Sequence, residues 1–286
     1  MTRIGVQAMM LKEQVAADGA FATLKRLSEL GFNAVEISQI PMSEANVAEI
    51  DRARVELGVE IAALSATLET PVGAPGDSLT NDFDKIVGDC NRLACRILRI
   101  GMMPFSAMAS HEALLDFCSR SNEMAARLAD QGIGLYYHNH HVEFAKYDGK
   151  YILDIIREEA PLLRFELDVH WIHRGGKDPV SVLTEYAGLV DLVHLKDYRI
   201  GQISPSAFES LQAGDRQAFM AAFTGVVQFA EVGEGNLDFR AIIEQSLASG
   251  AKYLLIEQDD QYGRDPFDCL VTSRDNLIRL GYRNLF

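Results

Sequence analysis

The sequence predicts an α/β protein folded as a single closed (β/α)8 barrel. Three observations carry this. Short apolar runs alternate with longer amphipathic ones eight times, which indicates parallel strands joined by helical crossovers. The first run ends Gln7-Ala8-Met9-Met10, without the glycine-rich phosphate turn usual in an open doubly wound sheet. Four later runs end in His, Asp, Glu or Lys, and side chains so far apart meet only where strand ends converge, as at the C-terminal rim of a barrel. The 286 residues suit such a barrel as one domain. No repeat, low-complexity tract or proline-rich linker divides residues 1–286.

The elements follow in order. Strands are expected at 4–9, 34–37, 60–65, 95–100, 133–137, 163–167, 189–195 and 253–256. Helices are expected at 21–30, closed by Gly31, at 43–57, where Ser43 is a suitable cap, and at 79–93. A long helix is expected at 111–130, with Leu114, Leu115, Cys118, Met124 and Leu128 at helical spacing. Shorter ones are expected at 152–158 and 180–186, then 239–248 and 266–280. Residues 201–225 depart from the rhythm. They read as an inserted loop, helical over 207–222, in the position of a lid or a partner contact. Residues 228–232 form an extended run leading into Gly233-Glu234-Gly235, which is too short for a dinucleotide fingerprint and reads as a mobile loop.

Composition excludes several classes. A hydrophobic content of 48% with 24% charged residues is that of a globular protein. The formal net charge of −14 opposes nucleic-acid binding, which needs clustered Lys and Arg, and opposes anionic membrane surfaces. It does not oppose a metal, which an acidic mouth attracts. The four cysteines form no C-x-x-C pair and read as reduced, partly buried thiols. With no signal-peptide pattern at the start and no 18-residue apolar stretch, a cytoplasmic protein is expected.

Candidate chemistry lies at the strand ends. His138, His140 and His141 are three of seven histidines within four positions, directly after an apolar strand. In an extended strand His138 and His140 share a face. Glu143 stands where strand gives way to loop and can curl back towards a metal. Asp168 ends the run Leu162-Leu163-Arg164-Phe165-Glu166-Leu167; buried there it needs a metal or a lysine, and otherwise it is a helix cap. His194 and Lys196 share one strand face; the alternative for His194 is a hydrogen-bonded core imidazole. Glu257 closes the last strand, followed by Gln258, Asp259 and Asp260. Together these offer the carboxylate oxygen and imidazole nitrogen that Mn²⁺, Mg²⁺, Co²⁺ or Zn²⁺ take, and spacing does not choose among those ions.

At these residues the chain resembles the xylose isomerase-like TIM barrel superfamily of sugar phosphate isomerases and epimerases. The resemblance spans nearly the whole chain. It is carried by Tyr137-His138-Asn139-His140 with Glu143-Phe144, Glu166-Leu167-Asp168-Val169 with Trp171, His194-Leu195-Lys196-Asp197, Gly233-Glu234-Gly235 and Ile256-Glu257-Gln258. It implies one divalent metal ion held by Glu, Asp, His and Glu. The last three map onto Asp168, His194 and Glu257. Many epimerases place the first glutamate about where His138 stands here, so that ligand is assigned to Glu143, with His138 as its replacement in the alternative. Trp171 stands where many epimerases have a histidine. The His-Asn-His pattern is similar to the branch with inosose dehydratase-like and keto-sugar lyase-like proteins.

The chemistry implied is enolisation of a sugar or cyclitol. The metal stabilises the charge formed when Glu257, Glu143 or His140 removes the proton alpha to a carbonyl. His138 and Lys196 are placed on substrate oxygens and Trp171 in the pocket wall. Isomerase or epimerase is the first reading. A dehydratase or lyase of a keto-sugar, inosose or 3-keto-glycoside on the same site is the second. A non-catalytic sugar-binding or regulatory subunit is a third, from a different class. An endonuclease-like barrel is opposed by the acidic charge. No Arg/Lys/Gly phosphate cradle is visible, which favours a free keto-sugar or glycoside. A homo-oligomer is compatible with the sequence.

Overall fold

The computed structural model describes residues 2–70 and 76–286. Eight parallel strands close into a barrel in chain order: β1 (Arg3–Gln7), β2 (Ala34–Ile37), β3 (Glu60–Ser65), β4 (Ile97–Ile100), β5 (Gly134–His138), β6 (Arg164–Asp168), β7 (Val190–Leu195) and β8 (Tyr253–Ile256). β1 closes the ring against β8, with Val6 opposite Ile256. The expected barrel is therefore the observed one. Helices cover the outside, and most buried Leu, Ile, Val and Phe form one continuous cluster. A smaller cluster of Ala63, Ile97, Tyr136, Leu192 and Leu255 is separate from it.

Strand parity explains that division. Alternate residues point to opposite faces, and in a closed barrel one face is the lumen. Leu192, His194 and Lys196 share one parity; so do Tyr136 and His138, Glu166 and Asp168, Ile97 and Arg99, and Leu255 and Glu257. The lumen is thus apolar towards the N-terminal ends of the strands and ionic towards the C-terminal ends. Glu36, Arg99, His138, Glu166, Asp168, His194, Lys196 and Glu257 are all buried.

Local departures from the sequence-based expectation have local causes. β1 stops at Gln7 rather than running to residue 9, because the Gln7 side chain accepts from the Met9 N–H and turns the chain into a 3-10 helix, Ala8–Leu11. A helix over Lys12–Asp18 follows. The insertion is not one helix over 207–222. An antiparallel ribbon pairs Asp197–Ile200 with Val227–Ala230 and carries two helices, Pro205–Gln212 and Arg216–Thr224. Gly214, at φ +87°, breaks the run between them. The extended run near 228 therefore belongs to this ribbon, not to the barrel. Gly233-Glu234-Gly235 is not a free loop. The Asp197 carboxylate accepts from Gly233 N at 3.0 Å and from Gly235 N at 2.9 Å, and a side chain at 235 would collide with the Tyr198 carbonyl. All four cysteines are free and buried. Among the described residues no helix is long and apolar enough to cross a membrane.

The lower end of the barrel is latched by one carboxylate. Asp191 on β7 accepts from the Tyr136 hydroxyl, from Arg164 Nε at 2.8 Å and Arg164 Nη2 at 3.0 Å, and lies 3.2 Å from Lys252 Nζ. Burial raises its pKa, but the bonds from Arg164 and Tyr136, with the charges of Arg164 and Lys252, lower it further, for a net fall below the ordinary value. A depressed carboxyl stabilises the fold above its unfolded pKa, near 4, and that contribution is lost as pH falls through the folded value. Asp191→Asn is expected to cost about 1–3 kcal/mol at pH 7, because it removes the charge and one of the two acceptor oxygens shared by Tyr136 and Arg164. In urea unfolding at a series of pH values, the gap between parent and variant should narrow below about pH 4.

Candidate active site

Three adjacent strand ends and the residue just beyond β8 build the core of the site. His138 is the last residue of β5, Asp168 the last of β6, His194 the fifth of β7, and Glu257 follows β8. One donor atom from each of these four lies within 4.8 Å of the others. His194 Nδ1 is 2.9 Å from Glu257 Oε2, 3.0 Å from His138 Nε2 and 3.9 Å from Asp168 Oδ2.

Each group is held from behind. Asp168 splits its oxygens: Oδ1 accepts from the Trp171 N–H and caps the helix Val169–Arg174, while Oδ2 faces the site. Asp168 is thus a helix cap through one oxygen, while the other faces Lys196 and the clustered donors. Asn139 Oδ1 accepts from the Asp168 N–H at 2.9 Å and fixes that corner. Gln7 Nε2 donates to Glu257 Oε1 at 2.9 Å, leaving Oε2 turned inward. Asp168 Oδ2 and Glu257 Oε2 are buried and make no hydrogen bond of proper geometry. Lys196 Nζ lies 3.3 Å from the first, 2.9 Å from the second and 2.7 Å from Asp259 Oδ1. Of the acids after β8, Glu257 faces inward and Asp259 meets Lys196.

Burial and charge set the protonation of these groups. Burial, offset in part by Lys196 and reinforced by Glu257, lifts the Asp168 carboxyl to about 7. Burial also raises Glu257, but Lys196 and His194 prevail and hold it well below the ordinary range. Burial lowers His194, yet Glu166, Glu257 and Glu36 together hold it well above the ordinary value. His140 is lowered to about 4 by burial and then by Lys196, so it is neutral at pH 7, and its Nδ1 has no partner.

Glu143 stands elsewhere. Its carboxylate accepts from the Tyr137 hydroxyl at 2.6 Å and from the His140 N–H at 2.8 Å, fully buried within a 3-10 turn, Val142–Phe144. The group that clusters with Asp168, His194 and Glu257 is His138. The physical reason is the turn. Once the chain coils after residue 141, the Glu143 carboxylate is drawn to the nearest donors of its own loop. His138, still in the extended strand, keeps lumen parity.

The mouth is aromatic. His140 lies against Trp171 with ring centres 5.5 Å apart, and His170 against Trp171 at 4.7 Å. Phe229, from the inserted ribbon, lies 5.2 Å from His170 and 6.2 Å from Trp171. Lys196 Nζ is 5.0 Å from the centre of the Trp171 ring, a cation–π distance. Sequence reasoning missed Phe229, Gln7, Asn139, Glu36 and Arg99. For Glu36 and Arg99 the signal was present, each being a lone charge inside an otherwise apolar strand. Phe229 carried none, because its place depends on how the ribbon folds back.

The family model for the xylose isomerase-like TIM barrel matches residues 24–275. The rhizopine catabolism protein MocC of Rhizobium meliloti is 29% identical over 162 residues, 55% of this chain and 47% of that protein, so the chain spans about half the length of this curated relative. Three solved structures share the fold at low identity. A sugar phosphate isomerase/epimerase from Parabacteroides distasonis superposes with a TM-score of 0.75 at 20% identity, covering 99% of each chain. The probable 3-DHS dehydratase AsbF of Bacillus anthracis gives 0.67 at 16% identity, covering 97% of this chain and 99% of its own. A xylose isomerase-like TIM barrel protein from Mycobacterium smegmatis, in complex with magnesium, gives 0.62 at 16% identity, covering 100% and 98%.

The position of Glu143 makes it a brace for the β5 loop. Glu143→Ala strands the Tyr137 hydroxyl and the His140 amide in a buried place, and a stability loss of about 1–3 kcal/mol is expected in chemical denaturation. A change of less than about 0.5 kcal/mol, the scale of a neutral surface substitution, would count against the brace.

Proposed function

The chain belongs to the xylose isomerase-like TIM barrel family, and on that premise we propose that it is a divalent-metal-dependent isomerase or epimerase of a sugar or cyclitol. The observation that carries the proposal is the convergence of two imidazoles and two carboxylates, with Asp168 Oδ2 and Glu257 Oε2 buried and turned to one point beside Lys196 Nζ, 3.3 and 2.9 Å away. That donor set fits Mn²⁺, Mg²⁺, Co²⁺ or Zn²⁺. His138, Asp168, His194 and Glu257 would hold the ion, with His138 in the place first assigned to Glu143. Bound there, the ion supplies positive charge against the negative charge that develops on a carbonyl oxygen as the neighbouring C–H is deprotonated.

The remaining roles fall to the side chains around it. Lys196 Nζ, held between Asp168, Glu257 and Asp259, binds a substrate oxygen. Trp171, His170 and Phe229 wall the mouth and limit water. His140, neutral with an unpartnered Nδ1, and Glu257 are the bases available for the proton alpha to the carbonyl. A positioned base contributes about 10²–10⁴-fold. Glu143 is withdrawn from this role, since its oxygens already accept from Tyr137 and His140. Three carboxylates already surround Lys196, so the mouth is unwelcoming to a phosphate, and a free keto-sugar or glycoside is the substrate class favoured. Lys196 supports a second reading as well. A buried ammonium beside the substrate can protonate a departing oxygen, which makes a dehydratase or lyase of a keto-sugar, inosose or 3-keto-glycoside.

The test is metal analysis joined to solvent deuterium exchange on free and phosphorylated keto-sugars. Exchange alpha to the carbonyl without loss of water or aglycone supports the isomerase or epimerase. Loss of either supports the dehydratase or lyase. Tight binding without exchange supports a non-catalytic sugar-binding subunit and overturns the enzyme. His194→Ala is expected to abolish both metal retention and exchange, and His138→Ala to lower metal affinity. Glu143→Gln should retain the metal; if it alone loses the ion, the assignment of His138 fails.

A further inference from the structure

Below the four converging donors lies a second ionic layer that the proposed chemistry does not use. Glu36 on β2, Arg99 on β4 and Glu166 on β6 point into the lumen, and all are buried. Arg99 Nε is 2.5 Å from Glu36 Oε1 and 3.0 Å from Glu166 Oε2, while its Nη2 donates to Ser38 Oγ at 2.8 Å. The other carboxylate oxygens turn upward to a single atom. His194 Nε2 is hydrogen-bonded to Glu36 Oε2 at 2.9 Å, and Glu166 Oε1 lies 3.0 Å from the same nitrogen as a charge contact without hydrogen-bond geometry. The two nitrogens of one imidazole therefore face two different environments. Nε2 meets two carboxylate oxygens, and Nδ1 meets His138, Asp168 and Glu257.

Glu36, Glu166 and His194 also come close enough to suggest a second cation site. The Arg99 guanidinium already bridges both carboxylates, so a fixed positive charge stands where an ion would have to enter. A purely structural role is a weak account too, because buried ion pairs are often matched or exceeded in stability by well-packed apolar side chains. What the layer does achieve is direction. An acceptor on one ring nitrogen keeps the proton there and leaves the other nitrogen's lone pair free, which orients a metal-binding imidazole.

We propose that Glu36 and Glu166, held in place by Arg99, are positioning residues that keep the proton of His194 on Nε2 and present Nδ1 to the cation. This rests on the reading of His138, Asp168, His194 and Glu257 as a metal site. It adds that ion affinity is set in part by residues that touch neither ion nor substrate. Arg99 Nε, 2.5 Å from Glu36 Oε1 and 3.0 Å from Glu166 Oε2, bridges the two carboxyl groups and holds both beneath one imidazole.

The test uses the full chain with histidine ring nitrogens labelled with ¹⁵N, loaded with Zn²⁺, and with Mn²⁺ affinity measured by calorimetry. In the long-range proton–nitrogen spectrum, His194, assigned by its loss in His194→Asn, is expected to show a protonated Nε2 and a ligated Nδ1. Glu36→Gln and Glu166→Gln are each expected to weaken Mn²⁺ binding by about 10–100-fold, the usual scale for partners behind a metal-binding histidine. A proton on Nδ1 with Nε2 ligated overturns the inference, and so does affinity kept within about twofold in both variants with an unchanged spectrum. If the Gln variants fail to fold, the spectrum of the unaltered protein still decides. Should the unaltered protein bind neither Zn²⁺ nor Mn²⁺, the metal reading itself falls, an outcome distinct from a bound ion with the wrong tautomer.

Discussion

Charge compensation inside the upper barrel is the constraint on which the rest of this structure depends. Glu36, Glu166, Asp168 and Glu257 are carboxyl groups removed from water, Arg99 and Lys196 are the fixed cations among them, and His194 stands between the two sets. An unpaired charge in such a place costs several kcal/mol, so none of these groups is independent of the others. The opposite directions imposed on neighbouring carboxyls follow from it. Glu36, beside Arg99 and His194, is held at about 2 although burial alone would raise it. Glu166, buried and next to Glu36, is pushed up to about 8. One charge is tolerated there more readily than two.

Closure of the barrel creates this situation. In a sheet with one face in solvent, Glu36, Arg99 and Glu166 could reach water and would need no partners. In a closed ring of eight strands, the inward parity of each strand delivers its side chains to a common axis. The lower positions, filled by Ala63, Ile97, Tyr136, Leu192 and Leu255, seal the lumen. Apart from the Asp191 latch at the lower end, the buried ionic residues of the barrel lie towards its C-terminal end, beneath the loops. The same geometry joins support and chemistry: Asp168 caps a helix with one oxygen and faces the site with the other, and Glu257 is fixed by Gln7 from across the β1–β8 seam.

The insertion between β7 and β8 adds to the mouth without disturbing this frame. Its ribbon starts at Asp197, directly after Lys196, and returns Phe229 to the aromatic wall beside Trp171 and His170. Asp197 holds the following glycine turn by accepting its backbone N–H groups. The ribbon's path is therefore tied at both ends to residues next to the site.

The amino-acid sequence by itself determined the alternation of strands and helices, the single barrel, and three of the four clustered donors, Asp168, His194 and Glu257. Each of these three sits at or just beyond a strand end, where parity and position are local properties. It also determined that residues 201–225 stand apart from the repeat. Only the tertiary structure brought His138 rather than Glu143 into the cluster, because that turns on where the chain coils after residue 141 and on the nearness of Tyr137. Only the tertiary structure joined Glu36, Arg99 and Glu166 beneath His194, and brought Phe229 to Trp171. Those contacts link residues tens of positions apart, whose separation is set by barrel closure and by the fold of the ribbon. Neither leaves a mark in the spacing of residues along the chain.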